Sequence, residues 1–286
     1  MVPESSKKNF GLIGYPVEHS LSPIIHSTLG AETDVDLSYP LYCIEKDDLG
    51  SFIKDSYDLG INGFNVTVPY KQEVMQYLCD VDEEAKAIGA VNTLVRTENG
   101  YKGYNTDMPG VMEAMAEEGI IIKGSNVVVI GAGGAARAIV KGVINEGPAK
   151  LMILNRTKEK GAELASEYGY KGAIIAGYDD DFVAMMDEAS DGKKWIAIQT
   201  TSVGMYPKVV FSPVTNKDFY TRIDKAYDII FNPAETLFMK KVREAGGEAY
   251  NGLKMLAYQG CRSYEYWTGK KITADMKKKV CAALIK

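Results

Sequence analysis

The run from Asn126 to Gly147, NVVVIGAGGAARAIVKGVINEG, leaves the chain little conformational choice. Five residues of strand pattern, Asn126 to Ile130, pass without a break into Gly131-Ala132-Gly133-Gly134-Ala135-Ala136 and then into a helical pattern. A buried strand that turns at once into a helix needs glycine where φ is positive and small residues where backbone meets backbone. Gly131 suits the tight turn. Gly133 lets the main chain approach a ligand, and Ala136 lets helix and strand pack closely. The first N–H groups of the helix have no partner within it, so they face whatever anion sits there.

This G-x-G-x-x-A pattern between a strand and a helix is the dinucleotide fingerprint of a Rossmann unit. A second strand pattern, KLMILN, ends where NAD-binding units usually carry an acidic residue for the ribose 2′-hydroxyl. This chain has Asn155-Arg156-Thr157 there, followed by Lys158 and Lys160. A guanidinium fork fits a 2′-phosphate, and the missing carboxylate removes a repulsion against it. The expected cofactor is NADP(H) rather than NAD(H).

Short apolar runs alternate with helical patterns elsewhere. NFGLIG, SYPLYCI, GFNVTV and AVNTLV read as strands before the fingerprint, and KWIAIQT and AYDIIFN join KLMILN after it. Such alternation predicts βαβ units and a mainly parallel sheet, hence an α/β fold. Asn99-Gly100 predicts a type I′ hairpin, because both central positions of that turn need positive φ. In TDMPGVMEAMAEEG, Thr106 or Asp107 is the expected cap, Pro109 suits the first turn, and Gly119 supplies a left-handed stop. From about Asn251 onward the pattern is helical. At 286 residues the chain suits two domains.

Several function classes are disfavoured. A net charge of −5 with no basic stripe gives no reason to expect nucleic acid. Four scattered cysteines without CxxC spacing and only two histidines, His19 and His26, predict no metal site. No stretch reaches membrane-span length and the N-terminal run lacks the apolar core of a signal peptide, so a cytoplasmic protein without a membrane partner is expected.

A nicotinamide cofactor implies hydride transfer, and interconverting a ketone and an alcohol needs a group that moves the hydroxyl proton. Lys71 after NVTVPY, Asn92 in GAVNTL and Asp107 in YNTD each stand at the end of an apolar run. Taken alone, Lys71 is better read as a first-turn helix lysine, and Asp107 reads as a cap, a task compatible with chemistry. Ser20 and Ser22 read equally as turn and cap residues ahead of Pro23. The histidines read as structural.

GYPVEHSLSPIIH, GFNVTVPYK, GAVNTL, GYNTD, GAGGAAR, NRT, TTSVGM and NGLKMLAYQG occur here in the order and spacing of the shikimate dehydrogenases. The chain resembles that family from Gly14 to Gln259. The resemblance implies two α/β domains: a substrate-binding domain over residues 1–105 completed by 252–286, and a Rossmann NADP-binding domain over 106–251. It implies reversible NADPH-dependent reduction of 3-dehydroshikimate to shikimate, within chorismate and aromatic amino acid biosynthesis, by a monomer or homodimer. Lys71 resembles the family's catalytic lysine, and Asp107 its carboxylate partner and a substrate contact. Ser20 and Ser22 resemble the pair that holds the substrate carboxylate, and Thr67, Asn92 and Gln259 match further substrate contacts. Gly131, Ala132, Gly133, Gly134 and Ala135 match the NADP-binding turn, with Asn155, Arg156, Thr157 and Lys160 at the 2′-phosphate. Thr201, Ser202, Ile229, Gly252 and Met255 fall at cofactor positions, and Glu83 at a peripheral one.

The sequence also departs from the family pattern. Phe231 stands where the family commonly has a substrate-contacting tyrosine, Gln199 where an asparagine is more usual, and Met108 where a small residue is common. None of these touches the Lys71/Asp107 pair, so they bear on affinity and selectivity rather than on reaction type. A broader quinate/shikimate dehydrogenase and a non-catalytic metabolite or NADP sensor are the alternative readings.

Overall fold

The computed structural model describes residues 7–285. The chain divides into two compact units. One runs to Gly110 and resumes at Leu256; the other spans Val111–Met255.

The first unit contains β1 (Lys8–Gly14), α1 (Ser22–Thr33), β2 (Leu37–Ser38), β3 (Leu41–Cys43), α2 (Leu49–Asp58), β4 (Gly63–Val66), β5 (Asp80–Val81), α3 (Glu83–Ile88), β6 (Thr93–Thr97) and β7 (Gly100–Tyr104). The helix α4 (Asp107–Glu117) begins in it. The last five residues of β1 are all buried, as befits a strand covered on both faces. One edge of β1 pairs in parallel with β4; the other pairs first with β2 and then with β3. SYPLYCI was expected as one strand, but Pro40 splits it. That residue has no N–H for the ladder, although its carbonyl accepts from Leu12 N at 3.0 Å.

The antiparallel hairpin β6–β7 extends this otherwise parallel sheet beyond β4, giving the order β2-β1-β4-β6-β7-β5 with β3 beside β1. Its turn lies one residue from the expected position. Thr97 pairs with Gly100, so the two-residue loop is Glu98–Asn99, and positive φ falls on Gly100 alone. Thr97 Oγ1 accepts from Asn99 N at 3.3 Å and donates to Gly100 O at 2.8 Å. A side chain closes this turn, so type I′ geometry is not needed.

The second unit contains β8 (Asn126–Ile130), α5 (Gly134–Glu146), β9 (Lys150–Leu154), α6 (Lys158–Glu167), β10 (Ala173–Ala176), α7 (Phe182–Ala189), β11 (Trp195–Gln199), α8 (Lys217–Thr221), β12 (Ile223–Asp228), α9 (Leu237–Glu244) and β13 (Glu248–Tyr250). Every strand pair is parallel, in the order β10-β9-β8-β11-β12-β13. This is the doubly wound arrangement, with its switch point between β8 and β11. The edge strands β10 and β13 went unread in the sequence because they are short and flanked by turn residues. Trp195, Phe219, Phe238 and Met152 anchor the core.

Two further helices, α10 (Leu253–Thr268) and α11 (Ala274–Leu284), lie almost wholly in the first unit. On α10, Trp267 stacks on Phe10 with ring centroids 4.5 Å apart, and its Nε1 donates to Leu94 O at 2.8 Å. Gly63 makes room for that indole, since a Cβ there would stand 2.5 Å from Trp267 Nε1.

His26 on α1 is fully buried, with its ring stacked 4.3 Å from that of Tyr39. Burial holds its pKa down at about 3, against a smaller opposing effect from Asn65. The unfolded chain takes up this proton near pH 6.5 and the folded chain does not, so the neutral ring's stabilising effect is lost as pH falls below 6.5. In urea titrations, the stability difference between the native protein and His26→Gln should shrink by about 2 kcal/mol between pH 7 and pH 5. A pH-independent difference would show that the ring is not held neutral.

Candidate functional site

The chain leaves β4 at Val66 and is pinned as it turns. Thr67 N donates to Ile13 O at 2.9 Å, Tyr70 N to Thr67 O at 3.0 Å, and Val91 N to Lys71 O at 2.7 Å. The Lys71 side chain, 18% exposed, donates from Nζ to Asp107 Oδ2 at 2.7 Å; the Asp107 side chain is 6% exposed. The other carboxylate oxygen, Oδ1, accepts from Asn92 Nδ2 at 2.9 Å. Each oxygen of this buried carboxylate therefore has its own donor, the condition for keeping such a charge inside a protein.

Asp107 has this freedom because it is not the cap of α4. Thr106 or Asp107 was the expected cap; the structure assigns that task to Asn105. Asn105 Oδ1 accepts from Asp107 N at 3.0 Å and Met108 N at 3.2 Å, while its Nδ2 donates to Ala90 O at 3.0 Å. Thr106 turns instead to Asn92: its N donates to Asn92 Oδ1 at 2.8 Å, and its Oγ1 accepts from Asn92 Nδ2 at 2.9 Å. Both amide hydrogens of Asn92 are thus engaged by protein, one of them by the carboxylate oxygen that Lys71 leaves free.

The other residues singled out for the substrate share the first unit with this pair. Ser20 Oγ accepts from Ser22 N at 3.2 Å and lies 3.1 Å from Ser22 Oγ, so the hydroxyls stand side by side at the start of α1. Ser20 N donates to Val17 O at 3.0 Å. Thr67 abuts the same loop, because a Cβ on Gly14 would overlap the Thr67 methyl and lie 2.7 Å from Val17 Cγ1. Gln259 on α10 is reached through Gly110, where a Cβ would lie 2.9 Å from Gln259 N. The Gln259 amide donates to Leu256 O at 2.7 Å and is half-buried. Glu83 lies apart, exposed and paired with Lys86 at 2.7 Å.

The residues singled out for the cofactor lie in the second unit. Gly131 has φ of 112°, and Thr200 Oγ1, bonded to Ile130 O at 2.7 Å, would lie 2.5 Å from any Cβ added to Gly131. By contrast, nothing lies within 4 Å of a Cβ placed on Gly133 or Gly134, and no side chain caps α5. Open space over uncapped N–H groups fits a pyrophosphate. Arg156, Thr157 and Lys160 are exposed beyond β9, and Asn155 Nδ2 donates to Thr157 O at 2.7 Å. Lys158, read as nearby positive charge, is paired with Asp180 at 2.7 Å.

On the far side of the switch point, Gln199 folds its amide onto the next loop. Its Nε2 donates to Thr201 O at 3.0 Å and Val203 O at 3.1 Å, and its Oε1 accepts from Thr201 N at 2.6 Å. This clasp holds Thr201 and leaves Ser202 exposed. Gly252 N donates to Ile230 O at 3.0 Å, and a Cβ on Gly252 would overlap the Ile229 carbonyl. Met255 N meets Tyr227 OH at 3.3 Å. Asp228 was not foreseen. Its carboxylate accepts from Ile230 N at 3.0 Å and Thr236 Oγ1 at 2.6 Å, and burial pushes its pKa up to about 7. The one available signal was an acidic residue inside the apolar run YDIIF.

Three family models cover most of the chain: the shikimate dehydrogenase substrate binding domain over residues 12–94, shikimate/quinate 5-dehydrogenase over 114–186, and the shikimate 5′-dehydrogenase C-terminal domain over 252–278. A shikimate dehydrogenase (NADP(+)) of Caldanaerobacter subterraneus is 39% identical, with 95% of each chain covered. The chain belongs to the shikimate dehydrogenase family. A shikimate dehydrogenase solved in complex with NADP+ superposes with a TM-score of 0.87 at 35% identity, covering 98% of this chain and 96% of that one. The Thermus thermophilus shikimate 5-dehydrogenase, solved with NADP(H) and shikimate, gives 0.83 at 29% identity, covering 96% and 98%.

Two departures from the family pattern have a structural account. Gln199 reaches Val203 O through its extra methylene, and Met108 is buried where α4 begins. The third, Phe231, is half-buried in the loop after β12. Because Asn105 caps α4, Asn105→Ala should lower unfolding free energy by about 1 kcal/mol in urea, and Asn105→Ser should recover most of that loss. Equal stability of the native protein and the alanine variant would move the cap elsewhere.

Proposed function

We propose that this chain catalyses the reversible, NADPH-dependent reduction of 3-dehydroshikimate to shikimate, in chorismate and aromatic amino acid biosynthesis. The observation that carries the reading is the ammonium of Lys71 set on one oxygen of a buried carboxylate, in a chain whose relatives are NADP(+) shikimate dehydrogenases. Lys71 Nζ gives the proton to the oxygen of the reacting carbonyl and takes it back in the reverse direction. Asp107 Oδ2 fixes where that nitrogen points, and Asn92 holds Asp107 from behind. Ser20 and Ser22 offer adjacent hydroxyls to the substrate carboxylate, while Thr67, Asn92 and Gln259 address its remaining polar groups.

NADP(H), when bound, supplies or accepts the hydride. Gly131, Ala132, Gly133, Gly134 and Ala135 would receive its pyrophosphate, with Asn155, Arg156, Thr157 and Lys160 at the 2′-phosphate. Thr201, Ser202, Ile229, Gly252 and Met255 would line the nicotinamide end. In this reading residues 1–105 with 252–286 form the substrate domain and 106–251 the cofactor domain. We place the enzyme in the cytoplasm, as a monomer or homodimer acting on small molecules without nucleic-acid or membrane partners. The net charge of −5 supports this, and among the described residues no helix is long and apolar enough to cross a membrane.

The deciding assay pairs shikimate or quinate with NADP⁺ or NAD⁺. Shikimate with NADP⁺ should turn over fastest, and absence of turnover with every pair would end the enzyme reading. Lys71→Ala should lower kcat roughly 10²–10⁴-fold while leaving the NADP⁺ dissociation constant within twofold. Gly133→Val fills the open space over α5 and should weaken NADP⁺ binding at least about tenfold with little change in urea stability. Unchanged affinity in that variant would separate the fingerprint from the cofactor.

A further inference from the structure

A run of buried amides and hydroxyls lies behind the Lys71–Asp107 pair. Asn65 on β4 is 4% exposed and opens the same stretch that ends in Lys71. Its Oδ1 accepts from Tyr39 OH at 2.7 Å and meets His26 Nε2 at 3.0 Å. Its Nδ2 donates to Ser263 Oγ at 2.9 Å and to Asn92 O at 3.2 Å. Ser263 is fully buried on α10. Its Oγ gives its one hydrogen to Thr93 Oγ1 at 2.7 Å, and Thr93 Oγ1 donates in turn to Asn92 Oδ1 at 3.1 Å, while Thr106 Oγ1 accepts from Asn92 Nδ2 at 2.9 Å.

The donors in this run have one consistent direction. Tyr39 donates to Asn65 Oδ1, so neutral His26 must also donate there through Nε2–H. Its Nδ1 is then the bare nitrogen, in accord with that atom having no hydrogen-bond partner. Asn65 is thereby forced to present its NH₂ group to Ser263 and Asn92. At the other end, Thr106 N–H requires Asn92 Oδ1 to face it, which aims the Asn92 NH₂ at Asp107. An Asn92 amide turned the other way would set its carbonyl oxygen against the carboxylate, two acceptors facing each other in a buried site.

We propose that Ser263 and Asn65 are positioning residues for the reaction: they lock the Asn92 amide so that Asp107 spends one oxygen on Asn92 and keeps the other for Lys71. This rests on the reading of Lys71 and Asp107 as the proton-transfer pair. Neither positioning residue touches that pair; Ser263 acts through Thr93, and Asn65 through the backbone carbonyl of Asn92 and through Ser263.

The test compares Ser263→Ala with the native enzyme in shikimate oxidation, reading kcat, KM for NADP⁺ and the pH at which kcat is half-maximal. The expected result is a kcat about tenfold lower, a half-maximal pH displaced by about half a unit or more, and KM for NADP⁺ within twofold. A half-maximal pH that stays in place, or a native kcat, overturns the positioning role, because a merely structural loss would lower the amount of folded enzyme without moving its titration. If Ser263→Ala does not fold, Asn65→Ser is judged by the same criteria. Lys71→Ala is assayed alongside: native kcat in that variant overturns the pair and the positioning role together, whereas a dead Lys71→Ala beside an unmoved Ser263→Ala profile overturns the positioning role alone.

Discussion

A carboxylate removed from water must find a donor for each oxygen, and Asp107 finds one cation and one amide. That requirement reaches far along the chain. Lys71 is delivered by the turn after β4, Asn92 by the approach to β6, and Asp107 by the first turn of α4. The helix start must be capped by a neighbour, Asn105, so that the carboxylate is spared. Removing Lys71 would leave a buried carboxylate without its counter-ion, at a cost of several kcal/mol by comparison with other buried pairs. The local backbone of the first unit is therefore organised around one ion pair as much as around its apolar core.

The sequence announced the second unit more fully than the first, for a physical reason. The strand–turn–helix at Asn126–Gly147 is governed by local rules, in which positive φ, small residues and free N–H groups all fall within a few positions. The parallel strand order then follows from right-handed crossovers. Lys71 obeys no such rule. Its identity as more than a surface lysine came from the family resemblance, and its partner stands 36 residues away. Asn65 and Ser263, separated by 198 residues, were invisible because each reads alone as an ordinary polar residue in an apolar run. The misplaced cap and turn have a related origin. Asn105-Thr106-Asp107 offers three residues competent to cap, and Thr97 closes a turn that glycine statistics assign one position later.

Glycine serves opposite purposes at different positions. Gly14, Gly63 and Gly110 are small because Thr67, Trp267 and Gln259 occupy the space a side chain would need. Gly133 and Gly134 are small with nothing beside them, which is costly in chain entropy unless the space has a use. The contrast separates glycines of packing from glycines of binding, a distinction that the letters of the sequence do not carry. Gln199 shows the reverse economy: one added methylene lets a single amide clasp a loop through three hydrogen bonds.

The discontinuity of the first unit has a consequence for how the chain is made. A ribosome that has released residues up to Gly110 has already delivered Lys71, Asn92 and Asp107, but not Ser263, Gln259 or Trp267. The unit from Val111 to Met255 is contiguous and complete in the nascent chain before any of those three emerges. Throughout that interval Phe10 and Gly63 lack the indole that covers them, and Asn65 lacks the hydroxyl that receives its amide. The part of the molecule made first is thus the part finished last.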